Sequence, residues 1–189
     1  MAEVTINNSP VHSDTVLTGV YGQTGQYWPT CGFHTGTDFA PTGSTPSSGA
    51  QLFSVCNGTV VQKRFENVLG NIVLIQDSAT GNYWRYCHML NESPLAVGAS
   101  VTTATVVGNM GATGTGAHGV HLHLEYASSS TWSCNTFLNP STALNIPNVS
   151  GTIVHYDGSI PPTPPGPTPI HSKNSSKWRL VYEYEESED

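Results

Sequence analysis

The sequence predicts a mainly β fold with few or no helices, and three observations support that class. Glycine and proline are frequent, with 19 and 13 copies, and only 10% of the residues are charged. This composition serves turns and strands better than helices. Short apolar runs alternate with turn-forming pieces. Helical periodicity is weak, because glycine or proline interrupts most windows where it would develop.

Six short segments have the composition of strands, and turn-rich pieces separate them. The predicted strands are Gln51–Val55, Gly58–Gln62, Asn71–Asp77, Trp84–Leu90, Ser100–Val101 and Val120–Ala127. The predicted turn regions are Pro41–Gly49, Ser78–Asn82 and Gly108–Gly119. The glycines of the last region are compatible with a mobile loop and equally with a well-packed turn.

By composition, the chain divides into a predicted β domain and flanking segments. Residues 1–18 are predicted to be a loose lead-in, and residues 19–146 one domain. Residues 147–169 are predicted to be a linker, because its last nine residues include six prolines and favour an extended spacer. Residues 170–189 form a short acidic tail. Within it, Trp178–Tyr184 alternates like one strand, which either docks on another surface or stays mobile.

The charge and hydropathy of the chain exclude some classes of function. The net charge is −7 with only six lysines and arginines, too few and too scattered for a phosphate-binding stripe, so no nucleic-acid partner is expected. No run of about 18 apolar residues is present, so no membrane span is predicted. The first ten residues lack the basic and apolar regions of a secretory signal peptide. We therefore expect export by another route or the loss of a leader.

The four cysteines leave their own chemistry open. They stand at Cys31, Cys56, Cys87 and Cys134, and no CxxC pair exists, which excludes a structural zinc ribbon. Three disulfide pairings are possible, and free buried thiols are equally compatible with a chain of this length.

Phe33–Phe39 contains the first candidate site residues. His34 and Asp38 are four residues apart, and the threonines and glycine between them disfavour a helix. In an extended segment this even spacing places both side chains on one face. A neutral imidazole and a carboxylate together suit Zn²⁺. A chance pairing in a loop is the alternative.

Val120–Tyr126 alternates as a strand with one polar and one apolar face. His121, His123 and Glu125 share the polar face, so one histidine can bind a metal while the other acts beside it. Two solvated histidines are the alternative. Glu125 is expected either to orient a histidine or to be a solvated edge carboxylate.

Trp84–Met89 is the third segment, and it holds a single histidine, His88, expected to share a strand face with Tyr86. In isolation, a lone histidine on a strand is more often structural than functional.

The order of these three segments resembles that of the lysostaphin-type peptidoglycan endopeptidases, the LytM or M23 family. Phe33–Ala40 is similar to the family's F-H-x-G-x-D-(F/Y/L)-A, and Gly119–Glu125 is similar to G-P-H-L-H-F-E. The other similar segments are Asn57–Val61, Gly70–Ile75, Tyr86–Met89, Gly111–Gly114, and Asn139–Pro140 with Leu144. The resemblance covers residues 19–146.

This resemblance implies an antiparallel-sheet domain with a groove formed by loops. It also implies a zinc-dependent endopeptidase that hydrolyses amide bonds in peptidoglycan stem peptides or cross-bridges. His34, Asp38 and His123 match the family's Zn²⁺ ligands, with a fourth position left for water. His88 and His121 match the residues that flank the attacking water and the developing oxyanion.

Some residues depart from the family's pattern or extend it. Many members place an aromatic residue ahead of the first ligand histidine, and Tyr27 and Trp28 are the candidates for that substrate-binding role. The loop before the HxH pair is one residue longer than usual and contains His118, which either lines the groove or is solvated. Cys31 and His34 form a C-x-x-H pair, but the HxxxD assignment already completes three ligands without a thiolate.

The complete site and the absence of a signal peptide favour a phage enzyme that acts on the extracytoplasmic cell wall, either an endolysin or a virion tail-associated lysin. A mature bacterial enzyme or bacteriocin without its leader is the alternative origin. A second class of function is a catalytically inactive LytM-like module that binds or regulates another hydrolase. A third is a structural tail component that docks on a virion partner through the C-terminal tail.

Overall fold

The computed structural model describes residues 2–25 and 30–158, together with the backbone of two strands at 168–172 and 179–183. Tyr27 and Trp28, the predicted aromatic contacts, lie outside the described residues. In the described part of the chain, no helix is long and apolar enough to cross a membrane.

The fold is mainly β, as predicted, and its one described helix has four residues. In chain order the strands are β1 (Glu3–Ile6), β2 (Thr15–Gly19), β3 (Gly36–Pro41), β4 (Gln51–Phe53), β5 (Gly58–Glu66), β6 (Gly70–Asp77), β7 (Tyr83–Met89), β8 (Ser100–Val101), β9 (Val106–Asn109), β10 (Leu122–Ala127), β11 (Phe137–Leu138), β12 (Ile153–Tyr156), β13 (Thr168–Ser172) and β14 (Arg179–Glu183). Helix α1 (Pro140–Ala143) begins at a proline and is capped by the Asn139 side chain.

Ten of these strands form one large sheet in the order β1-β12-β2-β3-β10-β7-β6-β5-β8, with β11 added beside β10. Every pairing in it is antiparallel except that of β1 with β12. β4 and β9 form a second, two-stranded sheet. The antiparallel arrangement places β3, β10 and β7, which carry the predicted site residues, side by side at the centre of the large sheet.

The two faces of β10 separate the core from the site. Leu122 and Leu124 point into the apolar core and are completely buried. Phe39 and Tyr86 on the neighbouring strands belong to the same core. Because strand side chains alternate, His123 of the same strand faces the opposite side. Burial of such large apolar side chains contributes roughly 1.5–3 kcal/mol each, which fixes the register that positions the site.

The prediction that residues 1–18 form a loose lead-in is wrong. β1 and β2 belong to the large sheet, and β2 pairs with β3 directly beside the site. Leu17, Val11 and Ile6 are buried in the core. The apolar residues of these strands are separated by polar and turn residues, so neither strand has the apolar run that marked the others.

The predicted linker at 147–169 also contains part of the sheet. β12 pairs with both β1 and β2, and Val154 is completely buried in the core. A short four-residue strand gives only a weak alternation signal. The strand predicted in the C-terminal tail also has a partner. It corresponds to β14, which pairs antiparallel with β13 at the end of the proline-rich stretch.

The cysteines divide into one disulfide and two thiols. Cys31 is bonded to Cys134, whereas Cys56 and Cys87 are free and buried. Burial raises the pKa of the Cys56 thiol to about 12, so this group stays protonated and packs as a small apolar side chain. The disulfide removes Cys31 from the C-x-x-H pair with His34.

We expect the disulfide to contribute strongly to stability, because it joins residues 103 positions apart. Cross-linking so long a loop removes conformational entropy from the unfolded chain, and loss of a native disulfide typically costs about 2–5 kcal/mol. The Cys31→Ser/Cys134→Ser variant should therefore have a lower denaturation midpoint than the oxidised protein. Added reductant should lower the wild-type midpoint and leave that of the double variant unchanged. An unchanged wild-type midpoint on reduction would contradict the expectation.

Candidate metal centre

The adjacent strands β3 and β10, with the short segment before β3, bring the three predicted metal ligands together. Asp38 on β3 is directly opposite His123 on β10, and His34 lies two residues before β3. Gly19 on β2 leaves the space that they need. A Cβ atom at Gly19 would lie 2.3 Å from Asp38 Oδ2 and 2.8 Å from His34 Cε1. The sequence does not reveal this glycine, because only the pairing of β2 with β3 places it there.

The three candidate ligand atoms form a nearly equilateral triangle. His34 Nε2 lies 3.2 Å from Asp38 Oδ1 and 3.1 Å from His123 Nδ1, and His123 Nδ1 lies 2.8 Å from Asp38 Oδ1. Zinc–ligand bonds of about 2.0–2.1 Å in tetrahedral geometry place neighbouring ligand atoms about 3.3 Å apart. The triangle therefore fits Zn²⁺ after shifts of a few tenths of an ångström.

The remaining ring nitrogens fix which imidazole atoms face this triangle. His34 Nδ1 lies 3.1 Å from the carbonyl oxygen of Val20 and donates to it. His123 Nε2 lies 3.1 Å from Glu125 Oε1 and donates to this carboxylate. When a metal is bound, each ring would use its N–H on an outer partner, and the lone pairs of His34 Nε2 and His123 Nδ1 would face the ligand triangle. Two neutral imidazoles and a carboxylate are a donor set that zinc accepts.

Glu125 is part of this arrangement and is not a solvated edge carboxylate. It is only 1% exposed. Its Oε1 accepts a hydrogen bond of 2.6 Å from Thr35 Oγ1 as well as that from His123, and its Oε2 accepts from Arg85. Burial alone would raise the pKa of Glu125, but the Arg85 guanidinium and His123 hold it at about 2. Glu125 is therefore ionised at neutral pH.

Charged groups of opposite sign lie close together in the site, with His123 between the carboxylates of Asp38 and Glu125. Burial alone would raise the pKa of Asp38, but hydrogen bonds from His123 and His34 hold it well below its usual range. Burial would likewise lower the pKa of His123, yet its hydrogen bonds with Asp38 and Glu125 raise it to about 9. In the absence of metal, a proton on His123 thus takes the place of a cation between two carboxylates.

His88 reaches the site through an irregular backbone. It adopts the left-handed conformation with φ of 59°, which is uncommon for a residue other than glycine. The register of β6 against β7 also shifts between the pairs Val73–Tyr86 and Asn71–Met89. His88 therefore does not share a face with Tyr86, and the expectation from simple alternation is wrong at this position. Tyr86 is buried in the core and donates to the carbonyl oxygen of Phe53, whereas the His88 ring centroid lies 4.8 Å from that of His121.

His88 and His121 present the same ring nitrogen to the site. His88 Nδ1 lies 2.8 Å from the Thr113 carbonyl oxygen, and His121 Nδ1 lies 2.9 Å from the Gly119 carbonyl oxygen. Both therefore use Nδ1–H on the backbone, and in the neutral ring the lone pair is on Nε2. Burial, reinforced by the nearby charge of His123, lowers the pKa of His88 to about 4, so that this ring is neutral at neutral pH.

Residues 110–119 form a loop whose carbonyl oxygens accept hydrogen bonds from His88 and His121. This loop is a well-packed turn where it meets the hairpin between β5 and β6. Thr115 N donates to Asn67 O at 2.8 Å, and Gly116 N donates to Val68 O at 3.0 Å. Gly114 has φ of 84°, and an added Cβ would lie 2.3 Å from Gly70 N, so that glycine is required there. His118 is exposed in this loop and is not among the three grouped ligand residues.

Comparison with known proteins agrees with this geometry. Residues 32–135 match the sequence model of peptidase family M23. This match covers more than half of the chain and includes all five histidine and aspartate residues of the site. The chain belongs to peptidase family M23. A comparison with curated proteins gave no match.

Solved structures of peptidases have a similar fold. The catalytic domain of the antimicrobial peptidase lysostaphin from Staphylococcus simulans aligns with a TM-score of 0.60 and 23% identity, over 69% of this chain and 92% of that domain. The catalytic domain of a prophage-encoded M23 protein from Enterococcus faecalis gives 0.53 and 25%, over 67% and 89%. A zinc-containing peptidase from Vibrio cholerae gives 0.54 and 27%, over 72% and 39%.

Proposed function

We propose that this M23 peptidase is a zinc-dependent endopeptidase that hydrolyses amide bonds in the stem peptides or cross-bridges of bacterial peptidoglycan. The observation that carries the proposal is the triangle of His34 Nε2, Asp38 Oδ1 and His123 Nδ1. Two further imidazoles flank it, those of His88 and His121, and each has its Nδ1 occupied by a backbone carbonyl oxygen, so that Nε2 is left as the possible base. A purely structural metal site has no need of such free bases.

In this proposal His34, Asp38 and His123 would hold the zinc ion. When bound, zinc supplies Lewis acidity to the scissile carbonyl and lowers the pKa of water toward about 7. Glu125 orients His123, because the hydrogen bond that it accepts from Nε2–H keeps the Nδ1 lone pair directed at the ligand triangle.

His88 and His121 divide the remaining chemistry between them. Both present an Nε2 lone pair, so either is suited to accept the proton of the attacking water. Once protonated, the same nitrogen is a donor that stabilises the negative oxygen of the tetrahedral intermediate or delivers the proton to the leaving amine. We propose that one imidazole takes the proton and that the other stabilises the tetrahedral intermediate.

Peptidoglycan is the proposed substrate because the motifs of residues 19–146 resemble those of peptidoglycan endopeptidases and the fold is that of an antimicrobial M23 peptidase. His118 is exposed in the loop beside the site and is a proposed substrate contact, as are Tyr27 and Trp28. The enzyme then acts on the extracytoplasmic cell wall. The prophage-encoded relative supports a phage origin, as an endolysin or a tail-associated lysin, with the C-terminal tail as the docking segment for a virion partner.

Digestion of purified peptidoglycan tests this proposal. Walls with several types of cross-link are incubated with the protein, and the fall in turbidity and the release of primary amines are followed. At least one wall type should be solubilised, a chelator should stop the reaction, and zinc should restore it. The His121→Ala protein is the matched control for activity from contaminants. Zinc-loaded protein that leaves every wall intact would instead favour a module that binds or regulates.

We also expect zinc binding to depend on pH. The raised pKa of His123, about 9 in the metal-free protein, means that zinc must displace a proton at any lower pH. Apparent zinc affinity should therefore rise about tenfold per pH unit for this one proton and level off above the pKa. Competition with a chromogenic chelator across neutral pH measures the slope. An affinity that does not change with pH would show that His123 carries no proton in the metal-free site.

A further inference from the structure

A line of charged side chains extends from the ligand triangle across the paired strands β10 and β7. Arg85 on β7 lies beside Glu125 on β10, where the two strands pair residue for residue. Its Nε and Nη2 both contact Glu125 Oε2. Only 6% of the Arg85 side chain is exposed. The guanidinium therefore contacts Glu125, and Glu125 in turn contacts His123.

The two oxygens of Glu125 serve different partners. Oε1 faces His123 and Thr35, and Oε2 faces Arg85. A carboxylate that is 1% exposed has lost its hydration, and an unpaired buried charge is strongly destabilising. The Arg85 contact offsets this cost. Because Nε and Nη2 of Arg85 both hold Oε2, they fix one end of the carboxylate, and Arg85 thereby limits the direction in which Oε1 points.

Trp132 covers Arg85 on its outer side. The Arg85 Cζ atom lies 4.0 Å from the centroid of the Trp132 ring, which suits a cation–π contact. The loop of Trp132 is anchored two residues later by Cys134, whose disulfide partner Cys31 lies three residues before His34. The indole thus shields the ion pair from water, and an ion pair in a low-dielectric setting is stronger than the same pair in water.

We infer that Arg85 is a positioning residue for the ligand His123, acting through Glu125, and that Trp132 is the cover that keeps this contact dry. The inference rests on the proposed zinc site. It assigns a role to a residue on β7 that no motif in the sequence marks, and it differs from a merely structural ion pair in one respect. A structural pair changes stability alone, whereas a positioning pair also changes how the metal is held.

The test is metal binding by the full chain, with Zn²⁺ affinity measured by chelator competition and Co²⁺ used as a spectroscopic probe of the ligand geometry. Arg85→Met should weaken Zn²⁺ binding by about 10–100-fold, the usual effect of removing a partner behind a ligand. The visible spectrum of its Co²⁺ form should also change. Arg85→Lys should recover part of the affinity, and Trp132→Leu should weaken binding less than Arg85→Met.

Lys63→Met is the matched control. Lys63 also carries a positive charge and pairs with a carboxylate, that of Glu92 at 2.8 Å, and no described contact joins this pair to Arg85 or Glu125. This variant should bind both metals as the wild type does. Folded Arg85→Met with wild-type Zn²⁺ affinity and an unchanged Co²⁺ spectrum would overturn the inference while leaving the zinc site intact.

A second variant covers the case in which Arg85→Met does not fold because Glu125 is left charged and unpaired. Arg85→Met/Glu125→Gln removes both charges and keeps a side-chain oxygen opposite His123. Its Zn²⁺ affinity should fall as in the single variant, and a wild-type affinity would overturn the inference. Wild-type protein that binds neither Zn²⁺ nor Co²⁺ would overturn the proposed zinc site itself, an outcome distinct from failure of the Arg85 role alone.

Discussion

Replacing Asp38 with alanine should abolish zinc binding and peptidase activity together. Asp38 Oδ1 lies within 3.2 Å of both candidate ligand nitrogens, so it is the anionic corner of the site. Its loss leaves two imidazoles, too few for a catalytic zinc site. His34→Ala should have the same effect. Activity should fall by more than the roughly 10²–10⁴-fold expected for one proton-transfer residue, because the metal contributes both polarisation and the nucleophile.

Elemental analysis of purified protein, run beside the peptidoglycan assay, measures this result. Wild-type protein should contain one zinc per chain, and the Asp38→Ala and His34→Ala proteins close to none. His155→Ala is the matched control, because His155 Nδ1 also contacts an aspartate, Asp14, at 2.9 Å, but on β12, two strands from β3 and outside the ligand triangle. It should retain zinc and activity. Full activity of zinc-free Asp38→Ala would contradict the ligand assignment.

Replacing His88 or His121 should remove activity while zinc remains bound. Neither ring is a member of the ligand triangle, and each presents an Nε2 lone pair beside it. A single general acid–base residue contributes about 10²–10⁴-fold to the rate, and each variant should lose activity within that range. For His88 we choose asparagine, because the backbone there is left-handed and asparagine tolerates that conformation better than alanine. His121→Ala is suitable at the other position.

Zinc content and activity are measured on the same preparations, with circular dichroism to confirm that the variants are folded. His121→Ala that hydrolyses peptidoglycan at the wild-type rate would contradict its catalytic role. Loss of zinc from His88→Asn would instead move His88 into the metal-binding set. The two variants thus separate residues that hold the metal from residues that transfer protons.

Part of the site could be predicted from strand periodicity, although His34 and His121 lie just before β3 and β10 and not within them. The spacing of His34 and Asp38, and of His121 and His123, is even, and strand geometry turns even spacing into a shared face. Family membership, which the sequence motifs predicted, is confirmed by the match over residues 32–135. The mainly β class was also predictable from composition and turn signals.

The remaining features depend on contacts between segments distant in sequence, which no local pattern encodes. His88 faces the site because of a register shift and a left-handed backbone, and simple alternation places it on the wrong face. Arg85 became visible only once β7 and β10 were paired. The choice of Cys31 and Cys134 among the possible disulfides needed the approach of their two loops. The strands at 3–6, 15–19 and 153–156 are short, and they are specified by the partners beside them.

Digestion of a susceptible peptidoglycan in H₂¹⁸O, followed by mass spectrometry of the fragments, tests the central claim most directly. Hydrolysis of an amide by water gives one new amine and one new carboxylate that carries a single ¹⁸O. We expect both products at one defined bond, in wild-type protein with one zinc per chain, and their disappearance with a chelator or in His121→Ala. Zinc-loaded protein that releases neither product from any wall would contradict the claim that this chain is a zinc peptidoglycan endopeptidase.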